Sequence, residues 1–149
     1  MSLRRAVVNR LKRNPTSLRA EVIRQQRGEA PTPDPLTRTG NRGKLQDAIE
    51  FRQRVAFQYS NEDEPRRSGR RLGLPHGVFK RQGRTYLLMY TQPGSVSASG
   101  RLPGWRTYLL GRVSNVQILR QETPTGGLRE FTIAPGFSRF RRLRFIFRV

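Results

Sequence analysis

Cysteine is absent from the 149 residues, which excludes disulfides, thiol chemistry and cysteine-ligated zinc. Histidine occurs once, at His76, so His-rich metal sites are excluded and a Ser/His/Asp triad has one candidate base. No apolar run approaches the roughly 20 residues that cross a bilayer as a helix, so no membrane span is expected. Acidic residues are scarce: ten Asp+Glu face 30 Lys+Arg, giving a formal charge of +20 and a pI near 11.9. Lysine is rare too. Lys12, Lys44 and Lys80 are the three, which leaves 27 arginines. Hydrophobic residues make up 34%, below the roughly 45–50% of an average domain, so the core is small for the length. What remains is a cationic chain whose charge calls for a polyanion.

That charge is spread along the whole chain. Residues 1–30 carry eight basic and two acidic side chains, residues 44–121 carry 14 and five, and residues 122–149 carry six and two. Arginine in preference to lysine suits phosphate recognition, because the planar guanidinium donates bidentately and stacks on bases.

Patterning divides the chain into four parts. Residues 1–27 form a basic helical extension. Leu3, Val7 and Leu11 mark a first helix, and Asn14-Pro15 opens a second that Gly28 stops. Residues 28–43, with Pro31, Pro33 and Pro35, read as an extended linker. From 44 to 121 a short helix with Leu45, Ala48 and Ile49 on one face gives way to period-two alternation. Strands are expected at Val55–Tyr59, Leu72–Lys80, Arg84–Thr91, Trp105–Leu110 and Val113–Arg120. A tight turn at Arg81-Gln82-Gly83 and a Gly/Ser loop over 93–104 separate them. Residues 122–149 form an arginine-rich extension that ends in a strand. Leu143, Phe145, Phe147 and Val149 share one face of it and Arg142, Arg144 and Arg148 the other, with Ile146 interrupting. Strands this short and regularly spaced predict a mainly β fold, a small barrel or sandwich.

The segment from Leu45 to Leu119 resembles a WYL domain. The helix and first strand are residues 48–60 (AIEFRQRVAFQYS), and the Pro-x-Gly strand is Leu74-Pro75-His76-Gly77-Val78-Phe79. The signature strand is Gly83-Arg84-Thr85-Tyr86-Leu87-Leu88, and the later strand runs from Trp105 to Val113. Thr85 stands where the family has its tryptophan, and Gly111 where an acidic residue usually precedes the last arginine. The resemblance implies an SH3-like or Sm-like five-stranded barrel, preceded here by short helices and followed by a basic strand. It also implies a ligand-sensing or nucleic-acid-binding module of bacterial or phage-related, cytoplasmic origin. A polar groove would be lined by Tyr86, Arg106 and Arg112, with His76 as a further candidate. The 43 residues ahead are too short and broken for the winged helix that usually precedes such a domain. A stand-alone accessory subunit is therefore expected, for example of a CRISPR, phage-defence or transcription-regulatory complex.

The residues support the groove independently. Tyr86, Trp105 and Tyr108 interleave with Arg84, Arg106 and Arg112, the aromatic platforms and cations that single-stranded nucleic acid requires. Filling the barrel with the same rings is the alternative. Phosphates would be clamped by Arg4, Arg5, Arg10 and Lys12 at one end and by Arg139, Arg141, Arg142, Arg144 and Arg148 at the other. No catalytic residue, metal site or cofactor is expected: the glycine-rich segments lack a P-loop arrangement, Glu62-Asp63-Glu64 reads as a solvated turn, and His76 has no nucleophile motif beside it. The leading expectation is thus a non-enzymatic protein that binds RNA or single-stranded DNA within a larger protein or ribonucleoprotein complex. Two others stand beside it: a structural component of a ribosome or ribonucleoprotein, and a ligand-sensing barrel acting on a protein partner.

Overall fold

The computed structural model describes Leu36 and residues 38–96 and 100–149. The helices expected within residues 1–27, the linker residues up to 35, and Arg4, Arg5, Arg10 and Lys12 lie outside the described residues. The chain divides into two units, one of residues 36–120 and 130–149, the other of residues 1–35 and 121–129. Within the second, residues 121–129 form a tight reversal in which Glu122 pairs with Leu128 and the Arg129 N–H donates to the Gln121 carbonyl at 2.7 Å.

The first unit begins with helix α1 (Gly40–Glu50), which buries Leu45, Ala48 and Ile49 at the spacing that puts them on one face. It starts four residues before the expected helix. Asn41 explains the extra turn: its side chain accepts from the Val116 N–H at 3.3 Å and reaches the Val113 carbonyl at 3.5 Å. Asp47, buried on the same helix, takes the Arg38 N–H at 2.8 Å and the Arg38 guanidinium at 2.7 Å. Burial pushes its carboxyl above the ordinary value, against the pull of Arg38.

Six antiparallel strands follow in one open, barrel-like sheet: β1 (Arg54–Tyr59), β2 (Gly69–Arg81), β3 (Arg84–Thr91), β4 (Gly104–Leu109), β5 (Val113–Leu119) and β6 (Arg144–Arg148). Their order is β4-β3-β2-β1-β5, and β6 also pairs with β2. The mainly β fold is as expected, and the C-terminal strand expected beyond the five of the barrel joins the same sheet as β6. Gln82 and Gly83 both have positive φ, 51° and 75°, which fits the tight turn between β2 and β3 to the twist of its strands.

β2 is the long member, and its first half pairs with β1 while its second half pairs with β6. The change comes at Pro75-His76-Gly77. Pro75 has no N–H to give the ladder, and the register with β3 slips there, from Pro75 opposite Met89 to Gly77 opposite Leu88. The extra residue is His76. It also reverses the parity of the strand. Arg71 before the bulge and Val78 after it both face the main core, although seven residues separate them.

That core joins Leu45, Ala48 and Ile49 to Val55, Phe57, Val78, Leu87, Met89, Tyr108, Val113 and Val116. A second layer covers the opposite face of β2, β3 and β4 with Phe131, Phe137 and Phe140 from the segment that precedes β6. A register slip opposite Val78 and Phe79 sets Phe147 against Val78 and Phe145 against Phe79, which point to opposite sides. Phe147 and Val149 accordingly pack on the main core, while Phe145 packs on Phe79 and Phe137. The single apolar face expected for this strand is split at Ile146, which is 40% exposed.

Gly77 sits where β6 closes on β2: a methyl there would stand 2.4 Å from the Phe145 ring. Gly77→Ala is expected to cost about 1–3 kcal/mol, and most of that cost should vanish in a Phe145→Ala background. Thermal melts of the four proteins in this double-mutant cycle provide the check. An equal cost in both backgrounds would show that Phe145 is not what requires the glycine.

Candidate nucleic-acid interface

Alternation on β2, β3 and β4 sends one set of side chains to the core and the other to the second layer, and the second set is largely aromatic. Phe79 and Tyr86, opposite each other on β2 and β3, stack with centroids 5.5 Å apart and planes 19° apart. Phe145 meets Phe79 edge-on at 6.2 Å, Phe137 lies 6.0 Å from Phe145, and Trp105 stacks on Phe137 at 5.9 Å. Tyr90 and Phe140 flank Trp105 at 5.2 and 5.0 Å. The result is a continuous row of rings. Phe79 is fully buried, while Tyr86, Phe145, Phe137, Trp105 and Phe140 are half-buried.

Exposed arginines lie along this row. The Arg81 guanidinium stands 5.5 Å from the Phe79 centroid, Arg139 5.6 Å from Phe140, and Arg148 5.9 Å from both Phe137 and Phe145. Arg84 faces Arg81 directly across the hairpin, and Lys80 faces Arg144 between β2 and β6. Like charges directly opposite on paired strands are destabilising. Alternation puts Arg81 and Arg84 on the side of the row and Lys80 and Arg144 on the other side of the sheet, and none of the four forms an ion pair among the described residues. Five of the seven described carboxylates are engaged elsewhere: Asp47 and Glu50 with Arg38, Asp63 with Arg112, Glu64 with Arg67, and Glu130 with Arg52.

The groove residues expected from the sequence are not brought to one place. Tyr86, Arg84 and Trp105 belong to the aromatic row. Trp105 also donates its indole N–H to the Pro135 carbonyl at 2.8 Å. His76 lies beneath the row, fully buried among Trp105, Phe131 and Phe137. Tyr108 is on the other side of the sheet, in the main core, edge-on to Phe57 and Tyr59, with its hydroxyl 2.8 Å from that of Thr91. Burial raises its pKa above that of a free phenol. Arg106 folds back to the carbonyls of Trp105 and Arg101 at 2.9 and 3.1 Å. Arg112 pairs with Asp63 at 3.1 Å beside a cleft of about 440 Å³ that Ser60 and Ser114 also line. Among the clamp residues, Arg139, Arg141, Arg142, Arg144 and Arg148 are all exposed. The bulge in β6 puts Arg148 on the aromatic side and aligns Arg144 with Lys80.

The sequence reading missed Arg81, Phe79, Phe137, Phe140 and Phe145 as parts of this surface. For Phe137, Phe140 and Phe145 the signal lies in the interleaved Phe and Arg of residues 137–148, where the sequence reading takes the arginines as a phosphate clamp and Phe145 as part of an apolar face. It also missed Arg71, a buried arginine whose guanidinium donates to the Val96 and Arg67 carbonyls and lies 5.7 Å from Tyr59 and 5.9 Å from Tyr108. Arg71 thereby fastens both flanking loops to the core.

A short helix leading into a bent, open antiparallel sheet places the protein among small, barrel-like β domains. The chain belongs to the WYL domain family, which matches residues 41–118. Domains of this family are typically regulatory rather than catalytic. A similar solved structure is Proteasome accessory factor B/C (PafBC) of Arthrobacter aurescens, 19% identical, with a TM-score of 0.44. The match covers 67% of this chain and 14% of that one. No curated protein matches the sequence. Among the described residues no helix is long and apolar enough to cross a membrane.

His76 makes the base of this surface sensitive to pH. Its Nδ1–H donates to the Leu74 carbonyl at 2.8 Å and its Nε2 accepts the Ala134 N–H at 3.0 Å, an arrangement that needs the neutral ring. Burial lowers its pKa to about 4. Between pH 6.5 and 4 the unfolded chain therefore holds the extra proton. The contribution is complete above pH 6.5 and falls by about 3 kcal/mol as the pH drops to 4. Urea titrations across that range should show the wild type losing stability more steeply than His76→Gln. Parallel pH profiles would contradict the neutral, buried ring.

Proposed function

We propose that this protein is a non-enzymatic, nucleic-acid-binding accessory module that holds single-stranded RNA or DNA across the aromatic row. One observation carries the reading: half-buried rings alternate with exposed arginines, Arg81, Arg84, Arg139 and Arg148, none of which forms an ion pair among the described residues. Each base stacked on such a ring contributes roughly 1–3 kcal/mol and tolerates any sequence. Arginines lying over ring faces, as Arg81 and Arg148 do, can turn their N–H groups toward phosphates at the edges, while Arg139 also donates its Nε–H to the Gly136 carbonyl at 3.2 Å. The like-charged Arg81–Arg84 pair at the hairpin end, on the row's side of the sheet, supports the same reading. Its repulsion burdens the free protein and is relieved when a phosphate lies between the two guanidinium groups.

Membership of a regulatory family supports coupling of this binding to a larger protein or ribonucleoprotein complex, with the protein acting as its accessory subunit rather than as a reader of duplex operators. A cytoplasmic setting, as in bacterial transcription-regulatory or phage-defence complexes, belongs to the same proposal.

Fluorescence anisotropy with a single-stranded 20-mer across a salt series tests it. Neutralising about six phosphates gives a log–log slope of roughly −4 to −5. Arg81→Gln combined with Arg148→Gln should make that slope shallower by about 1.4. An affinity that hardly changes with salt, or a slope unaltered in the double variant, would overturn the proposal.

A further inference from the structure

A second polar cleft, of about 380 Å³, opens on the surface of β1 and β5. Its origin is a bulge. Gln58 pairs with Ser114 but Ala56 pairs with Gln117, so β5 carries one residue too many opposite Phe57. Asn115 absorbs it in a left-handed conformation, φ 51°, which few non-glycine residues adopt at low cost. Asn41 then bridges the bulge, bonding the Val113 carbonyl on one side and the Val116 N–H on the other. This ties the first turn of α1 to the irregular backbone and sets Lys44, one turn further on, at the cleft wall. Arg70, opposite Gln58 on β2, supplies a second cation. Lys44 and Arg70 form no ion pair among the described residues, and no carboxylate lines the cleft. Gln58, Asn115 and Gln117 complete the walls with side-chain amides that both donate and accept. Phe57, the single ring in the lining, is 1% exposed, so the cleft offers no face on which a base could stack.

Two cations from separate elements, three amides and no stacking face suit a doubly charged group attached to a small hydroxylated body. We propose that this cleft binds a phosphate monoester, with Lys44 and Arg70 on the phosphate and the Gln58, Asn115 and Gln117 amides on the phosphate or its sugar. The chemistry is shared by a free mononucleotide and by the 5′-terminal phosphate of a nucleic acid strand. The site uses none of the residues of the aromatic row and stands whether or not that row binds bases.

Isothermal titration of the full chain with AMP, and with adenosine as the uncharged control, tests the proposal. AMP should bind and adenosine should not. Lys44→Gln and Arg70→Gln should each weaken AMP roughly tenfold, the loss of one charge-assisted bond. Arg81→Gln/Arg148→Gln should leave AMP affinity unchanged, and Lys44→Gln/Arg70→Gln should still bind a 5′-hydroxyl oligonucleotide, so the two sites succeed or fail separately. A 5′-phosphorylated oligonucleotide that outcompetes its 5′-hydroxyl twin for AMP assigns the cleft to strand ends, and equal competition assigns it to the free nucleotide. No AMP binding to the wild type, equal binding of adenosine, or AMP affinity unchanged in both single variants would overturn the proposal.

Discussion

The bend in β2 is the constraint on which the rest of the molecule depends. A strand that stayed regular through Pro75-His76-Gly77 would pair along one edge with a single neighbour and would send Leu72, Leu74 and Val78 to one face. Because Pro75 cannot donate, the ladder slips and His76 bulges out, allowing β2 to serve β1 with one half and β6 with the other. His76 then secures what the bend makes possible. Its ring holds the Leu74 carbonyl and the Ala134 N–H, and its own carbonyl takes the Val149 N–H at 2.9 Å. One residue thus ties together the strand, the covering segment and the chain's last residue.

The aromatic face follows from that arrangement. With β6 closed on Gly77, Phe145 and Arg148 come to the side where Phe79, Tyr86 and Trp105 already lie, and Phe137 fills the space between them. Hydrophobic burial explains why these rings cluster, but it does not explain the company they keep. A face shaped by stability alone would intersperse carboxylates among its arginines, as the Arg38–Asp47–Glu50 and Arg112–Asp63 groups do elsewhere in the chain. Uncompensated repulsion beside half-buried rings is what the proposed single-stranded partner, with its phosphates and flat bases, would relieve.

Much of this was legible in the residues. Period-two alternation located the β strands to within about three residues, and the Leu45, Ala48 and Ile49 spacing found α1. The excess of arginine over acid is what the proposal of a polyanionic partner rests on. Faces were harder to read. A bulge changes the parity of every residue beyond it, and bulges at His76, around Asn115 and at Ile146 each redirected side chains in ways that alternation cannot register. Tyr86 and Tyr108 stand in the same Arg-Thr-Tyr-Leu-Leu string yet lie on opposite sides of the sheet, because the β3–β4 register sets Tyr108 beside Leu87 and Tyr86 beside Leu109. Arg71 is the sharpest case. Flanked by Arg70 in a polar, basic stretch, it reads as solvated surface, and only the three-dimensional pairing of β1 with β2 shows it buried beneath Tyr59 and Tyr108.

The chain has a single tryptophan, Trp105, and it sits within the aromatic row. Its emission therefore reports on that face alone. Titrating the protein with a single-stranded oligonucleotide while following tryptophan fluorescence and anisotropy together is the most direct measurement. The account predicts quenching of Trp105 that saturates at the same oligonucleotide concentration as the anisotropy. Binding that leaves Trp105 emission unchanged would contradict it, because the strand would then lie on some other surface.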